Sequence, residues 1–292
     1  MVKVRTVGVL RQRLNPVLTT VLLLGGALVT WLVTVDRMEG MDNGPGTDLG
    51  ALGWFLGVWV TMMAAMMLPS VAPMVLLFAR VSKEKASRGR EFVPTWIFVL
   101  AYLAVWAAYG LAAYGIFRLI KWAGPSFLSW HRDGPYIAGG AVIAAGLYQF
   151  TPLKDVCLRH CRGPMHYLLH GWKEGRLGAV AMGAEHGFYC VGCCWGLFIV
   201  LFAVGVMSIF WMALLAAVIF AEKVLPYGER FTKAVAVGLV ALGIWIAAAP
   251  SSVPGLTQPA PGGGMQTNKL NRNEMGPSKM QPQKLKPKKM ME

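Results

Sequence analysis

The chain has 292 residues, 55% of them hydrophobic and 14% charged, with 11 Trp and a formal charge of +14 at neutral pH. Its mean hydropathy of +0.50 leaves too little polar surface to coat a soluble body of this length, which excludes a water-soluble globular fold. The positive excess sits at the N-terminus, in certain loops and in the C-terminal tail, where an anionic bilayer surface accounts for it. No nucleic-acid motif accompanies it, so the expected partners are the lipid bilayer and not nucleic acid.

Residues 1–15 read as a basic cytoplasmic N-terminus, with Arg5, Arg11 and Arg13 ahead of an apolar run from Val17 to Val35. The run is long enough to span, and no small-x-small cleavage site precedes Asp36, so the pattern predicts a signal anchor over about residues 16–35. The loop from Asp36 to Asp42 is net acidic and is expected outside. Its Met38-x-x-Met41 pair reads mainly as solvated linker, with a weak Cu(I) capture point as the alternative. The second span, 52–79, carries Trp59, Met62, Met63, Met66 and Met67, then Leu68-Pro69-Ser70 and Pro73. At 100° per residue the four Met cover an arc of about 140°, so at least one pair faces neighbouring helices. Pro69 and Pro73 lack the N–H that would bond the preceding turn, which predicts a kink and freed carbonyls. A kinked, thioether-lined segment suits a soft cation; Met as gap-filler is the competing reading.

Residues 80–91 are basic and expected inside. A third span over 93–116 is rich in Trp and Tyr, and the connection 118–135 is expected in the outer headgroup zone. The Gly- and Ala-rich fourth span, 136–150, suits close helix packing. Cys157 and Cys161 then follow at a spacing that places both on one helix face, with His160 beside them. Lys154, Arg159 and Arg162 are expected to lower their thiol pKa values and keep them available as ligands or nucleophiles. His166 and His170, spaced i, i+4, fall on a predicted short interfacial helix over 165–172. Two more spans fill 177–221 with a tight turn near Ala203-Val204-Gly205, a seventh covers 234–249, and 250–292 reads as a disordered basic tail. The fold class is therefore an all-α polytopic transmembrane bundle of about seven spans over 16–249.

Five Cys, all between 157 and 194, are too clustered for a disulfide-stapled exterior and favour metal or redox chemistry. The richest stretch runs from His186 to Trp195, H-G-F-Y-C-V-G-C-C-W, with Met182 and Glu185 just before it. On a helix Met182, His186, Cys190 and Cys193 share an arc of about 80°, with Cys194 at its edge. Polar groups at that depth are expensive and usually functional. Thiolates and thioethers select Cu(I), so copper is the expected metal, with zinc the alternative through Cys157, Cys161, Cys190 and Cys193. The predicted ligands are Cys190, Cys193 and Cys194, with Cys157 and Cys161 approaching from the inner face and His186, Met62, Met63, Met66 and Met67 as secondary contacts. Glu185, His160 and Met182 are candidates to support the ligands, Glu185 as a proton acceptor or a packing carboxyl. Two other classes stay open: thiol–disulfide exchange through Cys190/Cys193 and Cys157/Cys161, and a structural or assembly subunit of a membrane oxidoreductase. No phosphate loop, nucleotide fingerprint or hydrolase triad is present.

These motifs resemble a bacterial family of predicted metal-binding integral membrane proteins, domain of unknown function 2182. The matching residues are Trp59 with Met62-Met63-Ala64-Ala65-Met66-Met67-Leu68-Pro69-Ser70, Tyr148-Gln149 with Pro152-Leu153-Lys154, Cys157, Cys161 and Pro164, and Tyr189-Cys190 with Gly192-Cys193-Cys194-Trp195. Gly205, Met207, Trp211-Met212 and Glu222-Lys223 continue the likeness, which spans about residues 50–225. It implies metal binding in the membrane, sometimes labelled copper handling, without an established reaction. The residues and the resemblance together lead to the expectation of a multi-pass protein of a bacterial inner membrane that handles copper, with a cuproprotein or membrane oxidase subunit as recipient. The family pattern has Met after Leu197, where this chain carries Phe198, a position expected to serve packing or to lack a ligand.

Overall fold

The computed structural model describes residues 2–38, 49–123, 133–163, 165, 171–206, 208–254 and 256, with side chains from residue 18 onward. His166, His170, Met41, Met207 and nearly all of the expected tail lie outside the described residues. The described chain forms eight α-helices: α1 (Val2–Met38), α2 (Leu52–Ser87), α3 (Thr95–Ala123), α4 (Gly134–Tyr148), α5 (Pro152–Arg162), α6 (Gly175–Val204), α7 (Ile209–Val224) and α8 (Gly228–Ala248). No strand occurs among the described residues. Residues Leu18–Met38 of α1, together with α2, α3, α6 and α8, are long and apolar enough to cross a membrane.

The short spans keep their expected lengths, whereas α2 exceeds its own. The fourth and sixth expected spans are helices of 15 and 16 residues, about 22–24 Å at 1.5 Å per residue and so shorter than a hydrocarbon core. By contrast α2 runs 36 residues without a break through Pro69 and Pro73, about 54 Å, and passes the expected end at residue 79. The bundle is therefore uneven: α2, α3 and α6 extend past the level at which α4 and α7 stop.

Helices α2 and α6 form the interior, with 67% and 56% of their most apolar windows buried against 17% for α1. α6 packs on α3, α4, α5 and α7, while α2 packs on α1, α3 and α7. The small residues of α4 serve as expected. A Cβ on Gly139 would stand 2.5 Å from the Gly243 carbonyl oxygen of α8, and one on Gly243 would stand 2.6 Å from that of Gly139. Backbone thus lies directly on backbone, which gains dispersion contact where lipid supplies no hydrophobic drive. The α6–α7 turn is at the expected place, with Gly205 at φ 124° ending α6, a conformation that costs an L side chain.

Aromatic rings fill the half of the bundle where α2 begins and α6 ends. Trp59 stacks on Phe55 and Phe202 with centroids 5.6 and 5.8 Å away, and its indole N–H donates to the Trp106 carbonyl at 2.9 Å. Phe198 packs 5.0 Å from Trp106 and 6.0 Å from Trp59, so the residue that departs from the family pattern is a packing residue of this cluster. At the opposite end Ser82 both donates to the Val93 carbonyl and accepts from its N–H, closing the α2–α3 turn. The Lys85–Glu174 and Arg176–Glu91 pairs nearby are exposed and contribute little.

Candidate metal centre

The site forms where α5 lies against the middle of α6. Pro152 at the first turn and the Thr151 hydroxyl, which accepts from the Lys154 N–H, start α5; it ends at Gly163 after 11 residues. Four contacts fix it. Buried Lys154 pairs with Glu222 of α7 at 2.7 Å. Arg162 donates to the Leu225 and Pro226 carbonyls at 2.5 and 3.1 Å. His160 stacks on Tyr189 at 4.0 Å with 6° between planes. Cys157 fits over Gly192, where any Cβ would stand 2.7 Å from its sulfur. The Tyr148 hydroxyl, at the end of α4, also donates to the Gly192 carbonyl at 2.5 Å.

This arrangement resolves a question of depth. α6 begins at Gly175, so Cys190 lies about 22 Å along it, yet Cys161 still reaches the cysteine face because α4 ends beside Gly192 and α5 packs on α6 at that level. The sulfurs of Cys161, Cys190 and Cys193 all lie within 4.8 Å of one another. Cys193 Sγ is 3.7 Å from Cys161 Sγ and 3.3 Å from Cys194 Sγ. Cys190, Cys193 and Cys194 are buried, and Cys161 is half-buried. Three soft donors converging in a dry interior fit a monovalent soft cation such as Cu(I).

Around the sulfurs stand groups absent from the expected ligand set. The Tyr102 hydroxyl of α3 lies 3.0 Å from Cys190 Sγ. Buried Lys223, at the end of α7, places its ammonium 3.0 Å from the same sulfur, 3.3 Å from Ser70 Oγ and 3.9 Å from Met67 Sδ. The signals were present in the sequence, a Lys ending an apolar run and a Ser three residues after Met67, but a helix-end Lys ordinarily reaches solvent and Tyr102 was one of many aromatics in its span.

Residues 56–246, more than half of the chain, match the PpoB2 copper chaperone family. The chain belongs to this family. No curated protein and no solved structure matches it.

In this copper chaperone family member only part of the expected set of site residues comes together. Cys161, Cys190 and Cys193 converge, with Cys194 against Cys193. Close by, Met67 reaches the Lys223 ammonium, and His186 is buried with its ring 5.9 Å from Tyr102 and 6.1 Å from Phe98. Met62, Met63, Met66 and Met182 are buried in the core. Cys157 lies outside the converging set, so the four-thiolate arrangement expected for zinc is not assembled. Glu185 pairs with Lys173 at 3.0 Å on the surface. The cations near α5 do not lower its thiol pKa values. Lys154 and Arg162 are engaged elsewhere, and Arg159 donates to the Asp155 carbonyl. Burial instead pushes the Cys157 thiol up, and the hydrogen bond with Cys190 holds the Cys161 thiol well above its usual range.

Proposed function

We propose that the protein is an integral membrane Cu(I) chaperone of the bacterial inner membrane, holding the ion on Cys161, Cys190 and Cys193 and passing it to a cuproprotein or membrane oxidase subunit. The observation that carries this reading is the convergence of three sulfurs from two helices within 4.8 Å in a member of a copper chaperone family. Cys161 is the half-buried member of the set and sits on the short helix, so it is the sulfur an incoming donor meets first and the first to let go. Basic residues Lys85 and Arg176 stand together where α6 begins, the end that faces the cytoplasm by the positive-inside tendency.

The test is metal content. Protein purified in detergent without added metal is expected to carry copper above other transition metals, and a Cys190→Ser, Cys193→Ser double variant to lose it. Full copper stoichiometry in the double variant would sink the assignment. A second reading, dithiol exchange, is favoured by the 3.7 Å separation of Cys161 and Cys193. Two thiols would give two electrons and two protons to a quinone, leaving a disulfide and a quinol. Metal-free protein that loses two titratable thiols on quinone addition, and binds no Cu(I), would put that reading ahead.

A further inference from the structure

The buried charges near the site do not cancel among themselves. Lys154 and Glu222 neutralise one another at 2.7 Å, which leaves the buried Lys223 ammonium with a sulfur, a hydroxyl and a thioether as its neighbours: Cys190 Sγ at 3.0 Å, Ser70 Oγ at 3.3 Å and Met67 Sδ at 3.9 Å. A buried cation without a compensating anion is expensive. The Cys190 sulfur, as thiolate, is the group placed to compensate it. With two of the three converging sulfurs bound as thiolates and the third as a neutral thiol, a monovalent ion site carries a net charge of −1, and Lys223 brings the sum to zero. A divalent ion on the same two thiolates, next to the same lysine, is left with a net +1, and is repelled by the ammonium twice as strongly.

We propose that Lys223 is the charge-balancing and specificity-determining residue of the site, a fixed cation that matches the pocket to a monovalent soft ion and disfavours divalent ones. The inference deepens the copper reading and rests on it. Ser70 and Met67 act as positioning residues, since they hold the ammonium beside Cys190, and Ser70 is itself oriented by donating to the Met67 carbonyl at 3.0 Å.

The experiment compares Lys223→Met, Lys223→Arg and Ser70→Asp with the parent protein, using Cu(I) and Ag(I) as monovalent probes and Cd(II) as the divalent one, each in competition with a chelator of known affinity. Lys223→Met is expected to lower the Ag(I)-to-Cd(II) affinity ratio by about tenfold or more, because a unit charge at this range in a buried site exceeds the ~1.4 kcal/mol that tenfold represents. Ser70→Asp, which neutralises the ammonium while keeping it, is expected to shift the ratio the same way. Lys223→Arg is expected to stay within about threefold of the parent. A merely structural role would lower both metals together and leave the ratio alone. An unchanged ratio in Lys223→Met and in Ser70→Asp overturns the proposal, and the aspartate variant decides if the methionine one does not fold. If the parent protein itself binds neither Cu(I) nor Ag(I), the copper reading fails instead, so the two failures are distinct.

Discussion

Removing Lys154 tests how the site is held together. The Lys154→Met variant leaves Glu222 at 1% exposure without its partner, and Glu222 Oε1 already has no hydrogen bond among the described residues. Breaking a buried pair from one side costs about 3–5 kcal/mol, because the desolvated charge that remains is uncompensated. Replacing both ends with apolar groups, Lys154→Met with Glu222→Leu, removes that charge and should return stability to within about 1 kcal/mol of the parent. The second substitution then regains at least about 2 kcal/mol, and that recovery reports on the clasp between α5 and α7. Unfolding in mixed micelles with increasing anionic detergent, followed by far-ultraviolet circular dichroism and Trp fluorescence, measures all three proteins. A single variant costing under about 1 kcal/mol, or a double variant as unstable as the single one, would refute the reasoning.

Cys157→Ser should leave copper stoichiometry unchanged while Cys161→Ser lowers affinity, since only Cys161 joins the converging sulfurs; chelator competition reads both. Tyr102→Phe removes a hydroxyl 3.0 Å from Cys190 Sγ and should weaken Cu(I) binding about three- to tenfold, the worth of one hydrogen bond. Gly243→Val forces a side chain into the Gly139 carbonyl and should cost about 1–3 kcal/mol, measured by the same detergent titration, with the copper ligands untouched.

Hydropathy made the helices legible, and 3.6-residue periodicity put Cys190 and Cys193 on one face of α6, because both signals are local. What the sequence did not carry was the level at which elements meet. The end of α4 at Tyr148 falls close to the expected residue 150, but whether Cys161 reaches Cys193 depends on how α5 packs on α6, and spacing within α5 does not say which helix it meets. Lys223 stands at a helix end, where such a residue more commonly reaches solvent; its buried ammonium instead meets Cys190 of α6 and Ser70 and Met67 of α2, a relation among three separate segments. Charge near a thiol was likewise a poor guide in one dimension: Arg159 and Arg162 lie close to the cysteines in sequence, but their guanidinium groups are bonded to backbone carbonyls.

The ring cluster of Phe55, Trp59, Trp106, Phe198 and Phe202 also bears on traffic. It packs rings on one side of the cysteines, side chains that carry no sulfur or carboxylate ligand for a small cation. On the copper reading proposed above, loading and unloading share the α5 side, where Cys161 is half-buried. A vessel filled and emptied through a single opening suits custody of an ion between two docking partners on one face, and is ill suited to carrying that ion from one side of a bilayer to the other.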